Sequence, residues 1–175
     1  MIEESIKKAI RDVEDFPQPG IVFKDITPIF QDAELSAAIV NHLVDLYQDS
    51  KLDAIVGIES RGFFFGFPLA MALNLPFIPI RKKGKLPYKT ESISYDLEYG
   101  SAEIEVHQDA LRPGMKVLIH DDLLATGGTA AGAAALVEKL GAEVHAFNFI
   151  VELSFLEGQE KLRSFNKNMD ALCRY

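Results

Sequence analysis

The sequence predicts an α/β fold, a mainly parallel sheet flanked by helices, and two observations carry that prediction. Short apolar runs at 53–58 (Asp-Ala-Ile-Val-Gly-Ile), 77–80, 117–120 and 144–151 have strand length and read as buried strands. Segments of helical period separate them, and strand–helix–strand succession points to right-handed βαβ crossovers. With 175 residues the chain is expected to form one domain, 1–175, large enough to bury roughly 70% of its unfolded surface. No internal repeat or low-complexity tract interrupts it.

In chain order, Ile2, Ile6, Ile10 and Val13 recur at three- and four-residue intervals. They predict an amphipathic N-terminal helix that ends before the Phe16-Pro-Gln-Pro-Gly20 segment. A second helix is expected from Asp32, a good N-cap, with Leu35, Ile39, Leu43 and Leu46 on one face. The strand at 53–58 is followed by a helix over about 63–73, which Pro68 is placed to kink, and by the strand at 77–80. Residues 91–108 alternate, with Ala102, Ile104 and Val106 on one face, as in a half-exposed strand. The strand at 117–120 leads to an alanine-rich helix at 129–140 stopped by Gly141, and 144–151 is the fourth buried strand. Residues 1–30 form an added N-terminal section, and 81–100 a polar excursion.

Composition narrows the function. With 48% hydrophobic and 25% charged residues, the chain has the balance of a globular protein rather than a disordered one. A net charge of −8 argues against a broad nucleic-acid footprint, so an anionic ligand must be held by local charge. Such charge exists at Arg81, Lys82, Lys83, Lys85 and Lys89, a run that by itself is more often a solvated loop than a binding site. The one cysteine, Cys173, cannot form an internal disulfide, which fits a reducing cytoplasm. The most apolar segment, 62–73, is broken by Gly66 and Pro68 and falls short of the ~20 residues of a membrane span. The acidic start, Glu3 and Glu4, is wrong for a secretory signal. The four histidines lack metal-ligand spacing.

Three unusual segments fall at the carboxyl ends of predicted strands, where open α/β sheets bind ligands. They are Glu59-Ser60-Arg61-Gly62, the basic run, and the stretch from Asp121 to Thr129. The third is the most informative. Asp121 and Asp122 are followed by Leu-Leu-Ala125 and then by Thr126-Gly127-Gly128-Thr129, which opens a helix. Glycines allow close approach of the backbone, and the helix N-terminus presents N–H groups and partial positive charge. Two threonine hydroxyls add donors, making a phosphate cradle. It lacks the lysine of a Walker loop and the spacing of a dinucleotide fingerprint. Two carboxylates beside a phosphate need another partner, and the vicinal hydroxyls of a sugar suit them; a divalent cation is a further fit. The local chemistry describes a sugar phosphate.

On these residues the chain resembles the type I phosphoribosyltransferases, whose phosphoribosyl diphosphate (PRPP) signature matches 117–129. Within them it is most similar to the adenine phosphoribosyltransferase family. Phe16-Pro-Gln-Pro-Gly-Ile-Val-Phe-Lys-Asp-Ile-Thr-Pro28 resembles that family's hood over the base, and Gly57-Ile-Glu-Ser-Arg-Gly-Phe63 its pyrophosphate loop. Arg81-Lys-Lys-Gly-Lys-Leu-Pro87 and Tyr95-Asp-Leu-Glu-Tyr-Gly100 resemble its flexible catalytic loop, and Val151-Glu-Leu153 the segment lining the purine.

The resemblance implies that adenine and PRPP give AMP and pyrophosphate with Mg²⁺, in a cytoplasmic homodimer that binds neither nucleic acid nor membrane. It implies catalytic roles for Glu98, as proton carrier at the purine, and for Arg61 and Lys85. It assigns the 5′-phosphate to Ala125, Thr126, Gly127, Gly128 and Thr129, and the ribose to Asp121 and Asp122. Pyrophosphate falls to Glu59, Ser60, Arg61, Arg81 and Lys85, and adenine to Val22, Lys24, Ala125 and Leu153, with Lys24 where arginine is frequent. No direct protein ligand for the metal is implied; Mg²⁺ would arrive with PRPP, near Asp121. Relatives for 6-oxopurines usually carry a lysine in the region of 151–153, which here is apolar at Val151 and Leu153. The family often has a non-proline cis peptide at the position of Glu59–Ser60, and an aliphatic residue at the position of His120. The alternatives are a phosphoribosyltransferase for another purine such as xanthine, and a non-catalytic PRPP-sensing regulator.

Overall fold

The computed structural model describes residues 1–96 and 101–175 of the chain. Glu98, Tyr99 and Gly100, singled out above, lie outside the described residues. The chain divides into two compact units, 1–47 and 48–175.

The first unit opens with helix α1 (Ile2–Ala9), which buries Ile6. The sequence expectation carried this helix through Val13, and the structure corrects it. Ile10 turns to an extended conformation and caps the helix, and β1 (Arg11–Glu14) then pairs antiparallel with β2 (Val22–Asp25), Val13 opposite Phe23. The prolines and Gly20 that end the helical pattern lie between two strands whose ladder hydrogen bonds outweigh a continued apolar stripe. After α2 (Thr27–Gln31) comes α3 (Ala33–Tyr47). Asp32 caps α3 as expected, its Oδ1 accepting the Leu35 N–H at 2.9 Å. Leu35, Ile39 and Leu43 are buried, but the stripe continues to Tyr47 while Leu46 is 42% exposed.

The second unit is built on a seven-stranded sheet. Its strands are β3 (Ala54–Ile58), β4 (Phe77–Lys82), β5 (Thr90–Asp96), β6 (Ser101–His107), β7 (Lys116–Leu124), β8 (Glu143–Glu152) and β9 (Met169–Arg174), in the order β5-β6-β4-β3-β7-β8-β9. Pairing is parallel from β4 through β9, and antiparallel where β6 joins β4 and β5. Strand β3 is buried at all five positions, as a central parallel strand covered on both faces must be. Helices α4 (Gly62–Ala72) and α5 (Gly128–Lys139) make the crossovers. Ala54, Val56 and Ile58 join Val117, Ile119 and Phe147 in the core under α5. Gly57 and His120 point the other way, toward Phe63 and Gly66 of α4. No helix among the described residues is long and apolar enough to cross a membrane.

Two expectations are revised by neighbours. The stretch at 91–108 forms two paired strands, β5 and β6, and β6 is not half-exposed: Ile104, Glu105 and Val106 are buried in succession, because the turn at 84–86 folds over the face that alternation turns to water. Strand β7 does not end before the acids but runs through Asp121 and Asp122 to Leu124, held by β8 to the register Leu124 opposite Glu152. The edge strand β9 and the short helix α6 (Gln159–Leu162) carried too little pattern to be anticipated.

Candidate active site

Strand β7 delivers the chain to a cradle at the N-terminus of α5. Gly127 has φ +77°, the left-handed region that glycine adopts without a Cβ penalty, and its carbonyl accepts the Ala131 N–H at 2.9 Å. The first N–H groups of the helix have no intrahelical partner and suit an anion. Residues 125–129 line a small cavity of about 90 Å³. A second contact shapes this loop: Gly158 packs directly on it, so that a Cβ on Gly127 would overlap the Gly158 carbonyl and a Cβ on Gly158 the Ala125 carbonyl.

The acid pair stands at the entrance. Asp122 is buried and its Oδ2 lies 3.0 Å from Arg61 Nε, while its N–H donates to Asp121 Oδ1 at 2.8 Å. Desolvation and the neighbouring charge of Asp122 push the Asp121 carboxyl well above the ordinary carboxylate value. Desolvation also raises Asp122, against the opposing pull of Arg61. Arg61 reaches the pair because the start of α4 lies against β7. A Cβ on Gly62 would fall 2.8 Å from the His120 carbonyl and 2.9 Å from Asp121 Oδ1, so the Arg-Gly step serves close approach.

A cavity of about 280 Å³ opens beyond, with Glu59, Arg61, Tyr95, Asp121, Asp122, Ala125 and Thr129 in its wall. The Glu59–Ser60 peptide is cis. The Glu59 carboxylate is already engaged, accepting from the Lys82 N–H at 2.8 Å and from Arg81 Nε at 3.2 Å. Arg81 also donates through Nη1 to the Lys85 carbonyl at 3.1 Å, and the Lys85 side chain is exposed. The Thr129 hydroxyl donates to Tyr95 Oη at 3.2 Å. Leu153 follows the end of β8 and donates its N–H to Leu124 at 2.9 Å, which sets it beside Ala125.

The structure therefore gathers Glu59, Arg61, Asp121, Asp122, Ala125 and Thr129 around one cavity, ties Arg81 to Glu59, and ties the Lys85 carbonyl to Arg81. Val22 and Lys24 belong to β2 in the first unit, where Val22 is 50% exposed and the Lys24 ammonium is 2.7 Å from Asp12. A larger open groove of about 560 Å³ lies in that unit, walled by Ile2, Ser5, Lys8, Asp32 and Glu34. It holds none of the three motif loops, so chemistry rather than size locates the site.

Sequence reasoning missed Gly158 and Glu105 as parts of this region, while Tyr95 lies in the Tyr95–Gly100 segment already singled out. Gly158 had a signal, a glycine after the acid-rich end of the last predicted strand; Glu105 had none, because alternation placed it outward. His120 is resolved as a core residue. It is fully buried, its Nδ1 meets Asn148 Oδ1 at 2.8 Å, and burial lowers its pKa to about 4. The ring is neutral at pH 7.

A family model described as the phosphoribosyl transferase domain matches residues 28–167. The chain is 49% identical over 175 residues to an adenine phosphoribosyltransferase of Cytophaga hutchinsonii, covering 100% of this chain and 97% of the relative. The crystal structure of adenine phosphoribosyltransferase from Thermoanaerobacter pseudethanolicus superposes with TM-score 0.94 at 45% identity, covering 100% of both chains. That of Saccharomyces cerevisiae, complexed with an imino-altritol bisphosphate and adenine, gives TM-score 0.90 at 42% identity, covering 98% of each. With the signature strand, the cradle and the acid pair in one sheet edge of this fold, the chain belongs to the adenine phosphoribosyltransferase family of type I phosphoribosyltransferases.

Proposed function

We infer that the chain transfers the 5-phosphoribosyl group of PRPP to adenine, giving AMP and pyrophosphate. The observation that carries this reading is the acid pair at the end of β7, locked to Arg61 and continuous with the glycine cradle of α5. A sugar phosphate would lie with its phosphate on the helix N-terminus and its diol on the carboxylates.

In the reaction the bond from ribose C1 to the diphosphate oxygen breaks, the bond to the purine nitrogen forms, and that nitrogen gives up its proton. The residues divide accordingly. Ala125, Thr126, Gly127, Gly128 and Thr129 hold the 5′-phosphate, and Asp121 and Asp122 hold the ribose. Ser60, Arg61, Arg81 and Lys85 meet the departing pyrophosphate, whose growing charge is best met by donors already in place. Glu59 contributes by holding Arg81. Val22, Lys24, Ala125 and Leu153 receive adenine; with its ammonium on Asp12, Lys24 is suited to offer main-chain groups. Glu98 takes the purine proton.

Magnesium fits the donor set, since it prefers oxygen ligands and is usually shared with substrate phosphates. Asp121, with its pKa raised, gains from a cation beside it. The ion would supply charge neutralisation on the diphosphate. A cytoplasmic setting agrees with a lone cysteine, Cys173, buried in β9.

A panel of bases with PRPP, followed by pyrophosphate release, tests the assignment. Adenine turns over, while hypoxanthine, guanine and xanthine are poor, because the apolar Val151 and Leu153 offer no side-chain donor for a 6-oxo group. Comparable rates with a 6-oxopurine overturn the adenine reading.

A further inference from the structure

Glu105 is 2% exposed, on a strand where a charged residue would ordinarily face water. A buried carboxylate needs hydrogen-bond donors, and those of Glu105 come from the basic segment that follows β4. Its Oε1 accepts the N–H of Lys85 at 3.0 Å and of Leu86 at 2.9 Å, and its Oε2 accepts the Thr90 hydroxyl at 3.0 Å. Burial alone would raise its pKa, but the donors of Leu86, Thr90, Lys85 and Gly84 outweigh that and hold it below the ordinary value, so it is ionised. Two positions along β6, His107 Nε2 meets the Pro87 carbonyl, fixing the far side of the same turn.

Lys85 is consequently held from both directions. Glu105 takes its N–H, Arg81 donates to its carbonyl, and Arg81 is itself bound to Glu59 in the loop that carries Arg61. Its side chain remains exposed. A surface lysine clamped at its backbone and open at its ammonium is a charge delivered to a set place.

We propose that Glu105 is a positioning residue for the diphosphate half of the reaction, fixing the 84–86 turn so that Lys85 and Arg81 present their charge to pyrophosphate. The proposal rests on the assignment of the basic run to pyrophosphate given above. It separates two binding events: pyrophosphate depends on Glu105, and AMP, held by the cradle on β7 and α5, does not.

The test is calorimetric binding of Mg²⁺-pyrophosphate and of AMP to Glu105→Ala, Glu105→Gln and Lys85→Ala, with thermal melting of each and hydrogen exchange of the 83–88 segment in the wild-type protein. Glu105→Ala removes bonds to a charged acceptor and should weaken pyrophosphate roughly tenfold or more, with AMP within about twofold. Glu105→Gln keeps an acceptor oxygen for the two amides and should restore most of the loss. The Lys85 and Leu86 amides should exchange slowly. Equal losses for pyrophosphate and AMP, or none, overturn the proposal, as does fast exchange of those amides, which decides the matter even where Glu105→Ala fails to fold. If Lys85→Ala loses pyrophosphate and Glu105→Ala does not, this proposal alone fails. If Lys85→Ala binds pyrophosphate like wild type, the assignment of the basic run fails and takes the proposal with it.

Discussion

Thr129 and Glu98 are proposed to contribute in two different ways, one to binding and one to chemistry. Thr129 sits at the first turn of α5 with its hydroxyl donating to Tyr95 Oη. Thr129→Ala deletes a donor to a charged group, a loss of about 1.5–3 kcal/mol, or roughly 10- to 150-fold in affinity. Calorimetry should show AMP and PRPP weakened together. Glu98→Gln preserves shape but cannot accept the purine proton, so kcat should fall by ~10²–10⁴ while AMP affinity is kept. Near wild-type kcat in that variant would remove Glu98 as the proton carrier. The sugar-phosphate expectation for the acid pair, the two glycines and the two threonines came from local chemistry, whereas the role expected of Glu98 came with the family resemblance. Glu105 was not legible, because its burial depends on a turn twenty residues earlier in the chain folding over it.

At the level of elements, strand and helix order was legible wherever a segment is buried on both faces or capped by its own residues, as in β3 and at Asp32. It failed where a partner decides. Residues 11–14 continue a helical stripe yet pair with β2, and no pattern within them announces that partner. The contact between the cradle and the chain leaving β8 is of the same kind. Gly158→Ala places a methyl into the Ala125 carbonyl and must displace the loop. Such overpacking typically costs about 1–3 kcal/mol, equivalent to a melting temperature lower by roughly 2–10 °C in a chain of this size. A melting curve checks the stability, and AMP affinity should drop in parallel. Unchanged melting and binding would show that the loop accommodates the methyl.

For the whole molecule, a net charge of −8 coexists with a local gathering of basic residues at 81–89 and with Arg61 in the wall of the site cavity. Among the described residues, α4 carries an exposed apolar stripe. On α4, Phe64, Phe67 and Met71 recur at helical spacing and are 53%, 52% and 66% exposed, while Phe65 is buried and Phe63 stacks edge-on with Phe77. An exposed aromatic stripe on the helix that begins at Arg61 suits a self-complementary contact between two copies. Light scattering at micromolar concentration should therefore give about twice 19.4 kDa. A stable monomer would remove the homodimer. Sequence alone showed that four phenylalanines cluster here; which of them face outward required the register of α4 on β3 and β4.

The seat of Gly158 against Ala125 and Gly127 also bears on how such a site could be borrowed. The signature at 117–129 looks like a portable cassette, complete with acids, glycines and helix start. Its contour, however, is moulded from below by backbone that arrives only after another helix and strand have been laid down. Grafted alone onto a foreign sheet, the cassette would keep its letters and lose its shape. The smallest transferable unit runs from β7 through Gly158, a crossover with its returning strand and the turn beyond it.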